Sequence, residues 1–589
     1  MAGAAWWSAM PLPLVQRPAV ATAGAPRRGT RIVLFDGYVD EPANFGVPPY
    51  LSPHARYLAG AAKAADPASE VRYLTIDEWR RGSAKNDLVR KADVLVMIAG
   101  ALVPGKYLRG TPVSFREAQE IVRLVPGETM IAGASALYGF GRGGGLPPAG
   151  RDELDRVFTY RARLHADAML HDVLTGAVTD RSVGGNRKRT FAEWRDWSVR
   201  GAFVVRDHPD LPQPLTAELD TYHGCVRYVN GGCAFCMEPK EGKPQFRPVG
   251  DVVAEVAALA AHGVENFRVG GQACFYSYHA KGLGETPTPE PNPAAIEALL
   301  RGIHKAAPRL HTLHLDNVDP AVVAANPEAA DEVTKLVVRH MTDGNIAAFG
   351  LESADPAVKE ANNLNADAEI VFQAAEILNR HGKVRGPNGF PAFLPGLNFI
   401  AGLPGESAAT YEMNKSFLRE YVARGLWARR INIRKVVMNG MEGQHVDQRR
   451  FLDFKDFVRH EIDQPLLRAM FPPGTVLKRV LTEQRDGKTT FGRPIGTYAM
   501  LVGIPYEVPE NAWVDVAVTD YGFRSLTGVA VPFRVNKEPL KALEALPGVG
   551  KKRAVRLSLK RPFRSAADVE KALDDPAVAK QVAPLLSYE

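Results

Sequence analysis

Three of the four cysteines in this 589-residue chain lie close together, at Cys225, Cys233 and Cys236. Four cysteines could cross-link little of a chain this long, so the clustered thiols favour a metal site over a disulfide framework. Three thiolates on one loop can bind three corners of a 4Fe–4S cube and leave the fourth iron open to another ligand. Gly231 and Gly232 would let the backbone of this loop fold close to the metal.

Zinc is the competing interpretation of this loop, because Cys-x2-Cys is also the spacing of a zinc knuckle. A zinc ion would need a fourth ligand, and His223 or Cys274 could supply it. The loop alone favours the iron–sulfur cluster over zinc, and the residues downstream favour it further.

The cysteine loop and three later segments resemble the radical S-adenosylmethionine (SAM) superfamily, over about residues 216–440. The usual cluster motif of that family is Cys-x3-Cys-x2-Cys, with an aromatic residue just before the last cysteine. Phe235 takes the aromatic position here, although the first gap has seven residues instead of three. Gly270-Gly271-Gln272 resembles the Gly-Gly-Glu motif that holds the methionine amino group, with a Gln carbonyl in place of the carboxylate as acceptor.

Two further segments complete the resemblance, in the order that the family shows. Glu352 and Ser353 lie in a segment that looks like the strand-four motif, which meets the ribose and the carboxylate of SAM. Asn398 and Gly402 lie in a segment that looks like the strand-five motif beside the adenine.

The resemblance implies a 4Fe–4S cluster and SAM as cofactors, and an electron donor as a partner. The open iron would chelate the amino and carboxylate groups of SAM. One electron would then cleave a carbon–sulfur bond and give a 5′-deoxyadenosyl radical that abstracts a substrate hydrogen. The protein would orient the reactants and exclude water. The motifs identify no catalytic side chain that acts on the substrate.

Short apolar runs alternate with helical stretches through most of the chain, which predicts an α/β fold. Examples are the runs at 31–35, 92–98 and 129–132, which are typical of buried parallel strands. The sequence predicts six regions: a disordered extension at 1–30, a doubly wound sheet at 31–148, a connector at 149–215, a radical SAM core forming a partial βα (TIM) barrel at 216–470, a small β-barrel at 471–535 and a helix-hairpin-helix at 536–589.

The amino-terminal sheet resembles the cobalamin-binding domain of class B radical methylases and the first domain of methylthiotransferases. The latter normally carries three more cysteines, whereas this chain has none before Cys225. The loop at 36–42 also lacks a histidine that could serve as a lower ligand of cobalamin. Cobalamin therefore stays open as a third cofactor, and a sheet that merely packs on the core is the alternative.

Residues 546–553, Leu-Pro-Gly-Val-Gly-Lys-Lys-Arg, resemble the hairpin of a helix-hairpin-helix motif. Gly548 and Gly550 would expose backbone N–H groups at a helix start, where a phosphate can bind. Lys551 and Lys552 would add non-specific attraction. The resemblance implies contact with a nucleic acid, tRNA or DNA, and a protein-packing module is the alternative.

The formal net charge of +7 and the pI of about 9.0 permit a polyanionic partner without requiring one. No apolar run is long enough to cross a membrane, and the start does not read as a signal peptide, so we expect a cytoplasmic protein. The leading hypothesis is a radical SAM enzyme that modifies a nucleic acid such as tRNA, for example as a methylase. The alternatives are a radical SAM enzyme acting on a small metabolite or a protein, and a non-catalytic iron–sulfur or zinc protein that binds nucleic acid.

Overall fold

The computed structural model describes residues 26–41, 44–45, 47–100, 110–142, 146–178, 186–436 and 446–589. The chain divides into two compact units. The first unit comprises Met1–Glu41, Gly46–Pro48 and Ser52–Leu211, and the second comprises Pro42–Phe45, Pro49–Leu51 and Pro212–Glu589. Within the described residues, no helix is long and apolar enough to span a bilayer.

The first unit contains a five-stranded parallel sheet, which confirms the predicted α/β character. The strands follow the order Tyr160–Arg161, Glu128–Ala132, Val94–Ile98, Arg31–Asp36 and Glu70–Thr75. Its longer helices are Pro53–Ala65, Phe115–Val122, Ala166–Thr175 and Phe191–Arg200, and its short ones are Ile76–Arg80, Asn86–Lys91, Ser135–Tyr138 and Leu154–Val157. The central strand Val94–Ile98 is fully buried, as its unbroken apolar run predicts.

The prediction of a connector at 149–215 is wrong for most of its length. Helices Ala166–Thr175 and Phe191–Arg200 pack on Pro53–Ala65, where Trp197 is buried against alanines. The contact is close because Gly60 lacks a side chain, and a β-carbon there would overlap the backbone of Trp197. The many charges of this segment suggested an exposed connector. Some of these charges are buried, however, and Arg189 pairs with Asp167 at 2.5 Å.

The prediction of a disordered extension at 1–30 is wrong for residues 26–30. Residues 1–25 lie outside the described residues, whereas the N–H of Arg27 donates to the carbonyl of Leu174 and that of Gly29 donates to Asp66. Residues 26–30 therefore belong to the first unit.

The second unit begins with parallel strands that alternate with helices, as predicted. One sheet has the order Thr312–Leu315, Asn266–Val269, Thr216–Leu219 and Tyr50–Leu51, and the other has the order Asn317–Val318, Asn345–Glu352, Phe393–Ala401 and Arg430–Lys435. The helices between them are Val249–Ala261, Pro293–Ala306, Pro320–Ala325, Pro327–His340, Pro356–Ala361, Ala368–Gly382 and Ala408–Ala423. Gln448–Phe457, the π-helical turn Val458–Asp463 and Gln464–Met470 follow the last strand.

The predicted small β-barrel is confirmed as a closed five-stranded barrel. Its strands are Val476–Asp486, Thr489–Pro494, Leu501–Ile504, Trp513–Tyr521 and Ser525–Val531. Four short helices follow, at Leu540–Glu544, Gly550–Leu559, Ala566–Leu573 and Pro576–Val582. Strand Leu586–Ser587 then returns to pair with Phe533–Arg534 at the end of the barrel.

Candidate active site

The three clustered cysteines lie on one loop between the first and second core strands. Cys225 precedes a short 3₁₀ turn at Val226–Asn230, which ends at Gly231 with φ 82°. Gly232 follows with φ 67°, so two successive residues adopt the left-handed conformation that glycine allows. The chain then turns again at Cys236, whose N–H donates to the carbonyl of Cys233. The two glycines thus reverse the direction of the loop between Cys225 and Cys233.

The loop is fastened to the residues that follow helix Pro356–Ala361. The N–H of Ala234 donates to the carbonyl of Asn362, and the side chain of Asn363 donates to the carbonyls of Asn230 and Gly232. Cys233 and Phe235 are partly buried, and they pack against an apolar cluster formed by Val358, Leu364 and Leu403. Phe235 therefore supports the loop from the side of the fourth and fifth core strands.

All three thiols are partly exposed, and burial raises their pKa values. The pKa of Cys233 rises to about 11 and that of Cys236 to about 12, and that of Cys225 also rises well above its ordinary value. Neutral thiols at these positions would need a bound cation to lose their protons, and a metal cluster does this. The donor set therefore fits three corners of an iron–sulfur cube.

The zinc interpretation finds no ready ligand set. In the parts of the chain that the structure describes, no three His, Cys, Asp or Glu side chains are grouped closely enough to hold one metal ion. Cys274 is buried, and its sulfur accepts the N–H of Asp319 at 3.2 Å, while His223 faces Asp220 at 3.7 Å. An iron–sulfur cube does not need three ligands on one ion, because it would distribute the three cysteines over three irons.

Gly270 and Gly271 follow the second core strand, where side chains would not fit. A β-carbon at Gly270 would overlap Glu218, and one at Gly271 would overlap Asp220. Gln272 is buried, and its amide is already used within the protein: Oε1 accepts from Thr221 at 3.0 Å and Nε2 donates to Val269 at 2.8 Å. The backbone N–H groups of Gly271 and Gln272 also donate within the protein, to the carbonyls of Leu219 and Gly270, so this segment is tightly held by internal hydrogen bonds.

Glu352 ends the fourth core strand in an unusual conformation. Its φ is 64°, a left-handed value that non-glycine residues seldom adopt. Its Oε2 atom is buried and has no hydrogen-bond partner among the described residues, and burial raises the pKa of the carboxyl group to about 8. Arg434, on the last core strand, partly counters this rise. Ser353 is buried beside it, and its hydroxyl caps the turn by accepting the N–H of Asp355.

The fifth core strand places Asn398 opposite Gly350, two residues before Glu352 on the neighbouring strand. Asn398 is in register with Asn432, and the two side chains hydrogen-bond at 3.3 Å. Gly402 follows the strand with φ 88°, and its N–H donates to Glu406 at 2.8 Å. The electrostatic influence of Glu352 reaches Cys233 and Cys236, so the strand-four residue and the cysteine loop lie near one another.

A loop from the small β-barrel reaches the charged residues of the core strands. Arg268 forms buried ion pairs with Glu218 and Asp316. The loop between Thr489–Pro494 and Leu501–Ile504 contacts this region: the carbonyl of Gly496 accepts from Tyr50 at 2.6 Å. The next residues make three more contacts with the core: the N–H of Thr497 donates to His314, the carbonyl of Thr497 accepts from Arg429, and the ring of Tyr498 lies 3.5 Å from the guanidinium carbon of Arg430. The small barrel is therefore joined to the core by specific polar contacts.

Replacing Gly496 with alanine should lower the thermal unfolding midpoint. A β-carbon at residue 496 would lie 2.6 Å from Cε1 of His314, whose ring is buried and cannot swing away. Overpacking of this kind costs about 1–3 kcal/mol. Calorimetry of both proteins checks this, with Gly503→Ala as the control, because its nearest neighbour would lie at an ordinary 3.4 Å. Equal midpoints for Gly496→Ala and the wild type would contradict the described contact.

Sequence comparison decides the family. Residues 221–418 match the model of the radical SAM superfamily, a span that includes the cysteine loop, Gln272, Glu352 and Asn398. The chain is a radical SAM enzyme. This radical SAM enzyme uses a 4Fe–4S cluster and SAM, and the hypothesis of a non-catalytic iron–sulfur or zinc protein is wrong.

Similar proteins cover different shares of the radical SAM enzyme. An uncharacterized protein of Methanocaldococcus jannaschii is 39% identical over 514 residues, which is 85% of this chain and 93% of the relative. A tRNA-2-methylthio-N(6)-dimethylallyladenosine synthase of Sorangium cellulosum is 24% identical over 220 residues, 36% of this chain and 40% of the relative. Among solved structures, the cobalamin-dependent radical SAM enzyme OxsB is 13% identical with a TM-score of 0.46, over 76% of this chain and 57% of that one.

The sequence did not predict the contacts of two side chains, Arg227 and Tyr498. Arg227 contacts Cys233 from within the seven-residue gap of the cysteine motif, and the gap itself was the available signal. Tyr498 comes from the small barrel, more than sixty residues beyond the last core strand, and nothing in its local sequence indicates a contact with Arg430.

Proposed function

We propose that this radical SAM enzyme modifies a nucleic acid, with tRNA as the first candidate substrate. The observation that carries the proposal is the start of helix Gly550–Leu559, which is built to receive a phosphate. The test is anaerobic reduction with SAM, scoring 5′-deoxyadenosine with and without bulk tRNA. Product that rises with tRNA supports the proposal, and product that is indifferent to tRNA contradicts it.

The residues before this helix expose its first backbone donors. Gly548 and Gly550 have φ values of 70° and 57°, and both are exposed. No side chain caps the helix, since Val549 occupies the capping position. The first N–H groups of a helix have no partner within it, and together with the helix dipole they attract phosphate.

Basic side chains surround this helix start. Lys551 and Lys552 are exposed, as phosphate contacts require. Arg553 has a different role, because its guanidinium donates to the carbonyl of Gly548 at 2.8 Å and to Asp575 at 2.6 Å. It thereby fixes the hairpin that presents the two lysines, and this geometry supports a helix-hairpin-helix contact with nucleic acid. The tRNA-modifying relative supports tRNA over DNA.

The proposal assigns residues of the core to both cofactors. Cys225, Cys233 and Cys236 would bind three irons of the cluster. The cluster and SAM, when bound, supply the radical that attacks the substrate. Glu352 would accept hydrogen bonds from the ribose hydroxyls with its Oε2 atom, which has no partner within the described ranges, and Asn398 would face the adenine. The strands carrying these residues continue a partial βα barrel, whose interior would keep water from the radical.

Cobalamin is the proposed third cofactor of the enzyme, and it would bind to the first unit. Asp36 ends the strand beside the expected loop, but its carboxylate already accepts from Tyr73 at 2.6 Å and from the N–H of Tyr38 at 2.8 Å. A cobalamin bound here would therefore lack a lower ligand from Asp36. Absorbance titration with hydroxocobalamin, and methyl transfer to tRNA with it added, test this part of the proposal.

The double substitution Lys551→Glu and Lys552→Glu should weaken retention on tRNA. Each lost phosphate contact reduces the slope of log K against log salt by roughly 0.7–0.9, so two reduce it by about 1.5. Filter binding of wild type and variant across a salt series measures both quantities. The matched control is Lys305→Glu with Arg309→Glu, which changes the charge equally at the end of a core helix. Equal slopes for the two double variants would contradict a role for the hairpin.

A small anionic metabolite is the second candidate substrate, favoured by the last core strand. Arg430 and Arg434 stand on the same face of Arg430–Lys435, in register with Gly396 and Ile400. Within the described residues, neither guanidinium has a hydrogen bond or salt bridge with another side chain, although Arg430 stacks on Tyr498. A carboxylate or phosphate of a small substrate could bind there, and this candidate gains if tRNA leaves 5′-deoxyadenosine formation unchanged.

A further inference from the structure

Arg227 lies inside the cysteine loop and contacts two of its three cysteines. Its Nη1 donates to Sγ of Cys233 at 2.9 Å, and its backbone N–H donates to Sγ of Cys225 at 3.5 Å. Its other terminal nitrogen donates to the carbonyl of Asn363 at 2.8 Å. The side chain is therefore fixed at both ends of its fork, between the loop and the segment after helix Pro356–Ala361.

The charge of Arg227 is buried without a carboxylate beside it. The residue is 3% exposed, and within the described residues it forms no salt bridge to Asp or Glu. Arg227 acts electrostatically on the carboxylate of Asp319, but that carboxylate is already held by Asn365 at 2.6 Å and by the N–H of Ala321 at 2.9 Å. A buried guanidinium needs a compensating negative charge. The sulfur of Cys233 is the atom placed to supply it.

We propose that Arg227 is a positioning residue that acts as the counter-ion of the iron–sulfur cluster and raises its reduction potential through the sulfur of Cys233. The potential of such a cluster depends on its net charge and on hydrogen bonds to its sulfurs. One-electron reduction by the external donor adds one negative charge. A fixed positive charge at hydrogen-bond distance stabilises that reduced form and so eases the electron transfer that SAM cleavage requires.

The contact between Arg227 and Cys233 depends on the seven-residue gap of the cysteine motif. The 3₁₀ turn Val226–Asn230 fits between the first two cysteines only because the gap is long. This turn places Arg227 so that its side chain reaches Cys233 while its backbone faces Cys225. A three-residue gap would leave no room for such a turn.

The test is an EPR-monitored redox titration of the reconstituted, full-length protein in the absence of SAM and of any substrate. The variants are Arg227→Gln, which removes the charge, and Arg227→Lys, which keeps the charge but cannot bridge the sulfur and the Asn363 carbonyl together. Lys243→Gln is the control, because this exposed residue near the loop loses the same charge. Iron content is measured for each sample. The experiment involves no nucleic acid, so its outcome is independent of the proposed function.

We expect a more negative midpoint potential for Arg227→Gln, a smaller negative shift for Arg227→Lys and the wild-type potential for Lys243→Gln. A loaded Arg227→Gln protein with the wild-type potential would overturn the proposal, as would equal shifts in Arg227→Gln and Lys243→Gln. If Arg227→Gln holds no iron, Arg227→Lys decides: a negative shift supports the proposal, and the wild-type potential contradicts it. Loss of iron from both Arg227 variants, with Lys243→Gln loaded, would assign Arg227 to loop assembly alone and also contradict it.

Discussion

Alanine at Cys225, Cys233 or Cys236 is expected to abolish formation of 5′-deoxyadenosine from SAM. A 4Fe–4S cube contains about four irons per chain, and a loop with two cysteines would hold it poorly and leave a second iron without a protein ligand. Iron content and the cluster's EPR signal should therefore fall together with the product. Anaerobic reconstitution followed by iron assay and product chromatography measures all three, for each variant beside the wild type.

Cys274→Ala is the matched control, because Cys274 is the chain's one cysteine outside the loop. Its sulfur accepts the N–H of Asp319, so its loss should cost about 1–3 kcal/mol of stability and leave the iron content at the wild-type level. Full iron in any loop variant, or loss of iron in Cys274→Ala alone, would contradict the assignment of the three ligands.

Much of the fold follows from local patterns in the sequence. Unbroken apolar runs such as Val94–Ile98 are buried strands of a parallel sheet, and the short strands after residue 475 close into a small barrel. Both signals depend on the period of hydrophobicity, which the sequence shows directly. The three cysteines are equally visible, since their spacing alone indicates a shared loop.

Other features depend on contacts that no local pattern reports. The segment at 149–215 looked like a connector because its burial rests on small alanines and on a buried pair, Arg189 with Asp167. Gln272 follows two glycines at the end of the second core strand, but its side chain bonds to Thr221 and Val269. Tertiary partners of this kind decide what a polar side chain can offer, and they become visible only in the folded chain.

The conformation and burial of Glu352 make it the most informative single position for SAM binding. A left-handed backbone at a non-glycine residue is uncommon and clusters at functional sites. At Glu352 it accompanies a buried oxygen that has no hydrogen-bond partner in the described part of the chain. Because burial raises the pKa of Glu352 to about 8, its carboxyl group is charged only at alkaline pH, and there Glu352→Gln removes one negative charge with almost no change of shape. A hydrogen bond to a charged group is worth about 1.5–3 kcal/mol, so affinity for SAM measured at pH 9 should fall roughly tenfold to a hundredfold.

The same substitution should raise stability at alkaline pH. Burial lifts the pKa of Glu352 from 4.5 to about 8, so the folded protein holds a proton that the unfolded chain has released between these values. Folding stability from this group is therefore present below about pH 4.5 and lost progressively as pH rises to about 8. Glutamine stays neutral throughout. We expect the unfolding midpoint of Glu352→Gln, relative to that of the wild type, to increase as pH rises. Thermal unfolding from pH 5 to 9 without cofactors measures this difference.

Opposite changes in stability and in SAM affinity would separate a binding role for Glu352 from a structural one. A side chain that only maintained the fold would lose stability and affinity together when replaced. Glu412→Gln is the control, because that carboxylate is 67% exposed. Its substitution removes one negative charge with little change in the free energy of unfolding. Calorimetric titration of SAM into the reconstituted proteins completes the comparison. Unchanged SAM affinity in Glu352→Gln, with the stability gain present, would show that the buried carboxyl group belongs to the fold and that another residue meets the ribose.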